Sequence, residues 1–165
     1  MKIFLLRHAI AELRRINLSD RDRQLTKEGI KELETVVKAM GRLKVRPDEI
    51  LASPYRRAWD TAVIAARGLS PAKKPTELRA LVPSGEAAKL WLELKKHHAA
   101  KALLLVGHEP LLSEFAAFLL SSPHATINLK KSGLIRVDVH TVHLDHPSGT
   151  LRWLLTAKQL VRMAG

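Results

Sequence analysis

The chain has no cysteine among its 165 residues. Disulfide bonds, thiolate metal sites and a cysteine nucleophile are therefore excluded. Aromatic residues make up only 4% of the chain, which argues against the stacking platforms that bind single-stranded nucleic acid. Apolar runs fall short of the roughly 20 residues of a transmembrane helix, and the N-terminus has no signal-peptide pattern. We therefore expect a cytoplasmic protein with no membrane partner.

Three phosphate and nucleophile motifs are also missing from the sequence. There is no Gly-x-x-x-x-Gly-Lys loop, no Gly-x-Gly-x-x-Gly fingerprint after a strand and no Gly-x-Ser-x-Gly elbow. Negative charge is scarce, since 16 acidic residues face 28 basic ones and the formal net charge is +12. The basic residues are scattered, so we interpret the charge as a field that favours anionic substrates, with no obligatory nucleic-acid partner.

The length and the hydrophobic pattern predict one domain over residues 1–165. Three short apolar runs have the composition of strands buried on both faces of a parallel sheet: Ile3–Leu6, Glu49–Ser53 and Lys101–Val106. A weaker strand is predicted over 77–81, and a late hairpin over 134–139 and 150–155. Helical spacing predicts four helices, over 26–41, over 54–68, after Glu86 and after Pro110. This order predicts a three-layer α/β/α fold with a mostly parallel central sheet.

Cationic side chains follow each of the three buried strands. The turns carry Arg7 and His8, then Arg56 and Arg57, and finally His108. Because the carboxyl ends of parallel strands meet at one edge of a sheet, we expect these side chains to line one site. For each turn alone, the alternative is a solvated loop or an arginine that points to solvent.

Two histidines and several arginines, without cysteine or an evident metal site, suit phosphoryl transfer. Its transition state spreads negative charge over the equatorial oxygens, so catalysis depends on positioning and on electrostatic stabilisation. A neutral imidazole can attack phosphorus and hold the group covalently. We expect the arginines and a second, protonated histidine to bind the oxygens.

Four motifs resemble the histidine phosphatase superfamily, and most of all its small SixA-type branch of phosphohistidine phosphatases. They occur in family order and span most of the chain: Leu6-Arg7-His8-Ala9, Arg23-Gln24-Leu25-Thr26, Ser53-Pro54-Tyr55-Arg56-Arg57-Ala58 and Val106-Gly107-His108-Glu109-Pro110. The resemblance implies a phosphoglycerate mutase-like fold and a phosphatase that needs no cofactor.

The resemblance also implies roles for individual residues. His8 is the expected nucleophile, and Arg7, Arg57 and His108 are expected to bind the phosphoryl oxygens. Arg57 is chosen over its neighbour because it directly precedes the alanine of the family motif. Arg23 matches a further phosphate-contacting arginine of the small branch.

The sequence departs from the family pattern in two places. Ala9 stands where the family usually has glycine, so the backbone after the nucleophile must accept a Cβ. The acid of the larger members has no clear counterpart, and Glu86 is the candidate by position, unless it is only a first-turn carboxylate of a helix. A weak acid suits phosphohistidine, because a protonated imidazole leaves as a neutral base.

The substrate is therefore expected to be phosphohistidine in a protein. Two alternatives stay open: a phosphomonoesterase that acts on small phosphorylated metabolites, and a non-catalytic basic protein that binds acidic partners. A metal site is not expected. His140, His143 and His146 lie close together in the sequence, but on a strand His143 would face away from the other two. The oligomeric state is not indicated.

Overall fold

Strand residues of the central sheet alternate between two hydrophobic cores, one on each face. Phe4 and Leu6 of the first strand pack in one core, whereas Ile3 and Leu5 pack in the other. This alternation is the period-two geometry of a strand covered on both faces. The molecule is described by a computed structural model that covers residues 1–71, 74–140 and 145–165.

Six strands form one mixed sheet in the order β3-β2-β4-β1-β5-β6. Their bounds are Lys2–Arg7 (β1), Glu49–Ala52 (β2), Thr76–Glu77 (β3), Ala102–Gly107 (β4), Leu134–Val139 (β5) and Gly149–Leu155 (β6). The pairs β1–β4, β2–β4 and β2–β3 are parallel, and β5 pairs antiparallel with both β1 and β6. The three strands predicted as buried and parallel are therefore direct neighbours, with β4 between the other two.

Within the described residues, five α-helices cover the sheet. Their bounds are Lys27–Arg42 (α1), Arg56–Leu69 (α2), Ala87–Leu94 (α3), Leu111–Leu119 (α4) and Ala157–Ala164 (α5). Apolar residues of α1, α2 and α5 pack in one core, and those of α3 and α4 pack in the other. The predicted three-layer α/β/α arrangement is confirmed.

Several local predictions differ from the structure. Gly41 and Gly68 were expected to end their helices, but both lie inside them, and the left-handed residues beyond the ends are Lys44 (φ 56°) and Ser70 (φ 48°). The weak strand predicted over 77–81 is largely wrong: β3 spans only Thr76–Glu77, and a 3-10 helix occupies Arg79–Leu81.

Helix α5 is absent from the sequence-based expectation. Its signal is a capping box in which the Thr156 hydroxyl accepts from the Gln159 amide, while the Gln159 side chain accepts from the Thr156 amide. Across the described ranges, no helix combines the length and the apolar character that a bilayer crossing requires.

Candidate active site

His8 and His108 leave the sheet side by side because their strands are parallel and in register. Arg7 of β1 pairs with Gly107 of β4, so the next residue of each strand emerges at the same edge. The two imidazole centroids are 5.1 Å apart, and the residues are only 6% and 2% exposed. The structure therefore brings together the two histidines that the sequence predicts to share a site.

Helix α2 adds Arg57 to this pair. Its Nε donates to His8 Nε2 over 3.2 Å, and the residue is 4% exposed. The neighbouring Arg56 lies on the outer side of the same turn and forms an exposed ion pair with Asp60 at 2.8 Å. The two arginines therefore differ in environment in the way that the family motif implies.

Asp20 accepts hydrogen bonds from the guanidinium of Arg57 and holds it in place. The Asp20 carboxylate accepts from Arg57 Nη2 at 3.0 Å, and its backbone carbonyl accepts from Nη1. Partial burial acts to raise the pKa of Asp20, but hydrogen bonds from Arg23 and Arg57 outweigh it and lower the pKa to about 2. Asp20 is thus a carboxylate throughout the neutral range and fixes the Arg57 guanidinium.

Arg23 contacts this carboxylate instead of the histidines. Its Nη1 donates to Asp20 Oδ1 at 2.8 Å, and its Nε donates to the Glu12 carbonyl at 2.7 Å. Arg23 is therefore linked to Arg57 through the Asp20 carboxylate, to which both arginines donate. Its expected contact with phosphate stays a prediction.

The His8 ring is held in one tautomer. Its Nδ1 lies 2.7 Å from the Ala9 carbonyl oxygen, which can only accept, so the proton is on Nδ1 and the lone pair on Nε2. Burial lowers the pKa of His8 to about 3, with help from the Arg57 and Arg7 charges and against the Ala9 hydrogen bond. The imidazole is therefore neutral at neutral pH, with its nucleophilic nitrogen beside Arg57.

His108 is neutral too, which differs from the protonated state expected from the sequence. Burial is the main cause and the neighbouring His8 and Arg57 add to it, so that the pKa of His108 falls to about 2. Its Nε2 lies 2.9 Å from Ser53 Oγ, which also accepts from the Tyr55 amide. A Ser53 hydroxyl that donates to Nε2 places the ring proton of His108 on Nδ1.

Unpartnered buried polar atoms concentrate at this site. Of the described side chains, three carry a buried nitrogen or oxygen with no hydrogen-bond partner: Arg7 Nε, His108 Nδ1 and Ser132 Oγ. Leaving such an atom unsatisfied costs about 1–3 kcal/mol. Arg7 Nε and His108 Nδ1 both belong to residues predicted to bind phosphoryl oxygens.

The backbone after His8 accepts the Cβ of Ala9 without strain. Ala9 is fully buried and is not among the residues with positive φ. Its amide donates to the Thr61 hydroxyl at 3.1 Å, and that hydroxyl donates to the Arg57 carbonyl at 2.7 Å. Thr61 therefore ties the nucleophile turn to α2.

Gly29 allows α1 to approach the same segment. A Cβ at Gly29 would lie 2.2 Å from the Ile10 carbonyl oxygen, which is well inside van der Waals contact. The Ile10 carbonyl also accepts from the Thr26 amide at the start of α1. Glycine at this position lets the helix fix the chain two residues after His8.

Glu86, the candidate acid, is placed apart from the histidines. It directly precedes α3, its carboxylate is exposed and pairs with Lys89 at 2.6 Å, and it lines a depression with Arg79 and Ser84 that neither histidine lines. Its position matches the alternative reading, a carboxylate at the start of a helix. Its role as the acid stays a prediction.

Glu109 is a carboxyl group that the sequence analysis left without a role. Burial raises its pKa, and hydrogen bonds from Ser113 together with the nearby Arg7 charge oppose that shift. Its two oxygens accept from the Ser113 amide and hydroxyl. The signal in the sequence is its place next to His108, directly before the proline that precedes α4.

Positive charge surrounds the site. Beside Arg7 lies a depression of about 630 Å³ whose walls include Lys130, Lys131 and Lys158, with Glu32 as its one acidic lining residue. The Lys131 charge contributes to lowering the pKa of His8. Lys131 therefore adds to the positive potential that Arg7 and Arg57 produce at His8.

Metal ligation finds no support in the part of the chain that the structure describes. No group of three or more His, Asp or Glu side chains there could hold an ion. His143 lies outside the described residues, and His140 Nε2 contacts the Thr150 hydroxyl at 3.0 Å.

Comparisons with known proteins agree with this geometry. A model of the histidine phosphatase superfamily (branch 1) matches residues 3–81. A phosphohistidine phosphatase SixA homologue of Haemophilus influenzae is 34% identical over 126 residues, which cover 71% of this chain and 76% of that protein. An uncharacterized protein of Picosynechococcus is 34% identical over 168 residues, covering 94% of this chain and 99% of the relative.

A solved structure is similar over nearly the whole chain. The protein histidine phosphatase SixA, in complex with tungstate, superposes with a TM-score of 0.85 at 25% identity, covering 97% of this chain and 99% of that one. The sheet order, the paired histidines and these relatives lead to one conclusion. The chain belongs to the SixA-type branch of the histidine phosphatase superfamily, and it is a phosphatase.

Proposed function

We propose that the chain hydrolyses phosphohistidine in proteins through a covalent phosphohistidine intermediate on His8. One observation carries the proposal: a neutral, buried His8 has its Nε2 lone pair next to Arg57 Nε, with the His108 ring 5.1 Å away. A nucleophile, a fixed cation and a second imidazole thus meet at one point.

The first step transfers the phosphoryl group to His8. The Nε2 lone pair forms the new P–N bond, and the bond from phosphorus to the leaving nitrogen of the substrate breaks with its electron pair. Arg57 Nε, which donates to Nε2 in this structure, then donates to a phosphoryl oxygen. Arg7 Nε and His108 Nδ1 supply further donors to the equatorial oxygens.

The second step is hydrolysis of phospho-His8. Water forms a P–O bond, the P–N bond breaks, and its electron pair returns to Nε2 while the water proton leaves with inorganic phosphate or solvent. The Ala9 carbonyl holds the proton of Nδ1 throughout, so the ring returns to the tautomer in which it began. The negative charge that arrives with the phosphoryl group raises the pKa of His108 and favours its protonated form.

The substrate class follows from the leaving group. A protonated imidazole leaves as a neutral base and needs no proton donor, whereas an alkoxide needs one. The carboxyl group expected from the sequence, Glu86, is exposed and paired with Lys89. The SixA relatives are named for phosphohistidine or for protein histidine phosphatase activity, which supports the same substrate.

A phosphomonoesterase is the second candidate, because Glu109 is available. Burial raises its pKa against the opposing Arg7 charge, and a raised pKa suits a carboxylic acid that protonates an alkoxide leaving group. Its oxygens are engaged by Ser113, however, and it would have to exchange that contact for the leaving group.

Leaving-group dependence in matched variants separates these two candidates. We expect the wild-type kcat/KM on phosphohistidine to exceed that on phosphoserine by on the order of 10²–10⁴, the usual contribution of a proton donor. Glu109→Gln should leave the phosphohistidine value close to wild type. A wild type that prefers phosphoserine, and loses that activity on Glu109→Gln, would instead establish the phosphomonoesterase.

The non-catalytic alternative has its own test. A basic protein that only binds acidic partners predicts no turnover of any phosphorylated substrate, and salt-sensitive binding that survives His8→Ala. Turnover that His8→Ala abolishes excludes it.

A further inference from the structure

The two most exposed large apolar side chains of the described residues lie in the loop that borders the active site. Leu13 is 80% exposed and Ile16 is fully exposed, whereas Leu92 on α3, the next in order, is 54% exposed. Both belong to residues 9–24, here called the rim loop, which joins β1 to α1. Single exposed apolar residues need no explanation, but two in one loop that also contacts the catalytic Arg57 suggest a contact surface.

The base of the rim loop is fixed to the pocket. Ala11 and Leu25 form an antiparallel bridge, and the Glu12 amide donates to the Gln24 carbonyl at 2.9 Å. Further along, Asp20 accepts from Arg57. The segment that carries Leu13 and Ile16 therefore projects from a base that is anchored to the catalytic arginine.

The loop is strongly cationic as well as apolar. Arg14, Arg15 and Arg21 are all exposed. Arg14 pairs with Asp20, but within the described chain no carboxylate forms an ion pair with Arg15 or Arg21. An apolar pair flanked by unpaired arginines is complementary to a protein surface that combines acidic and apolar side chains.

We propose that the rim loop is the docking element for the protein substrate: Leu13 and Ile16 pack on an apolar patch of an acidic phosphoprotein, and Arg15 and Arg21 face its carboxylates. This inference rests on the proposed function, because it assigns the surface that presents the phosphorylated histidine to His8. A free phosphorylated amino acid has no apolar and acidic protein surface to offer the loop.

The test compares one protein substrate with one small substrate. The protein is an acidic domain that carries a single phosphohistidine, prepared with phosphoramidate, and the small substrate is free phosphohistidine. The variants are Leu13→Ser with Ile16→Ser, Arg15→Glu with Arg21→Glu, and the matched control Leu92→Ser on α3. Each variant is measured on both substrates at low and high salt.

We expect the apolar double variant to lose on the order of tenfold to a hundredfold in kcat/KM on the phosphoprotein, mainly through KM, as for central contacts of an interface. The arginine double variant should lose a similar factor at low salt and less at high salt. Both should keep the wild-type value on free phosphohistidine, and Leu92→Ser should match wild type on both substrates.

The remaining outcomes overturn the inference in distinguishable ways. Equal losses on both substrates would make the loop a structural part of the pocket, and no loss on either would remove the docking role while the proposed function stands. A wild type inactive on phosphohistidine in either form would remove both proposals together. Sedimentation that shows a dimer dissociated by Leu13→Ser with Ile16→Ser would assign the loop to a second copy of the chain.

Discussion

The catalytic residues His8, Arg57 and His108, here called the floor of the pocket, lie next to the rim loop. The two regions differ in their exposure to solvent. His8, Arg57 and His108 are almost fully buried, and hydrogen bonds with Ala9, Asp20 and Ser53 respectively hold their side chains in place. Leu13 and Ile16 are exposed on the rim loop, between the Ala11–Leu25 bridge and Asp20, which accepts from Arg57. The difference indicates two separate roles. The floor catalyses the reaction of any substrate, and the rim loop selects among substrates.

The largest expected effect comes from removing the nucleophile of the floor. His8→Ala should lower kcat on every substrate by on the order of 10⁴ or more, because no other group can form the covalent intermediate. Steady-state rates on phosphoprotein and on free phosphohistidine check this. A residual rate on one substrate only would break the division between floor and loop.

Arg57 and Arg56 offer a matched pair within one helical turn. Arg57→Ala removes a buried donor beside His8 Nε2 and should cost about 10²–10³ in kcat on both substrates. Arg56→Ala removes an exposed pair with Asp60, worth no more than about 1 kcal/mol of folding stability, and should leave kcat unchanged. Similar losses in the two variants would contradict the assignment of Arg57 to the floor.

Asp20 links the two regions, since it belongs to the rim loop and holds Arg57. Asp20→Asn weakens two charge-assisted hydrogen bonds and should lower kcat by about tenfold on both substrates, as for other groups that orient a catalytic side chain. Because its pKa is about 2, the loss should be independent of pH across the neutral range. A loss confined to the phosphoprotein would move Asp20 to the docking surface.

The smallest expected effect is the dependence of the free energy of unfolding on pH. His8 and His108 have folded-state pKa values of about 3 and about 2, below the ordinary value of about 6.5. Their neutral forms therefore favour the native state above pH 6.5, and this stabilisation is lost as pH falls, since the unfolded chain binds the additional protons. Each contributes a slope of up to about 1.4 kcal/mol per pH unit.

Urea denaturation between pH 6.5 and 5 measures that slope, in a range where ordinary carboxylates stay ionised. His108→Asn should reduce it, whereas Leu13→Ser with Ile16→Ser should leave it as in wild type. An unchanged slope in His108→Asn would contradict the buried, neutral state of the floor.

The sequence predicted the floor residues better than the residues that hold them in place. The floor residues could be predicted because they follow from local strand patterns. The three central strands are continuous apolar runs, and the residues after them, Arg7, His8 and His108, are fixed by the strands themselves. The preference for Arg57 over Arg56 came from the family motif. It agrees with the structure because the first turn of α2 points one arginine inward and the other outward.

The residues that hold the floor in place do so through contacts between distant segments of the chain, and a single sequence does not display such contacts. Asp20 reaches Arg57 across 37 positions, and Ser53 reaches His108 across 55. Glu86 follows the family order but its carboxylate pairs with Lys89. The predicted helix ends were wrong for a different reason. Lys44 and Ser70 adopt the left-handed conformation that is usually assigned to glycine.

The central claim is that His8 Nε2 carries the phosphoryl group during turnover. Its most direct test is rapid acid-free quenching of the wild-type enzyme during the first turnover of ³²P-labelled phosphohistidine protein, followed by mapping of the label. The account predicts an acid-labile, base-stable label on His8 that is absent in His8→Ala. Turnover without label on His8, or label that persists in His8→Ala, would contradict it.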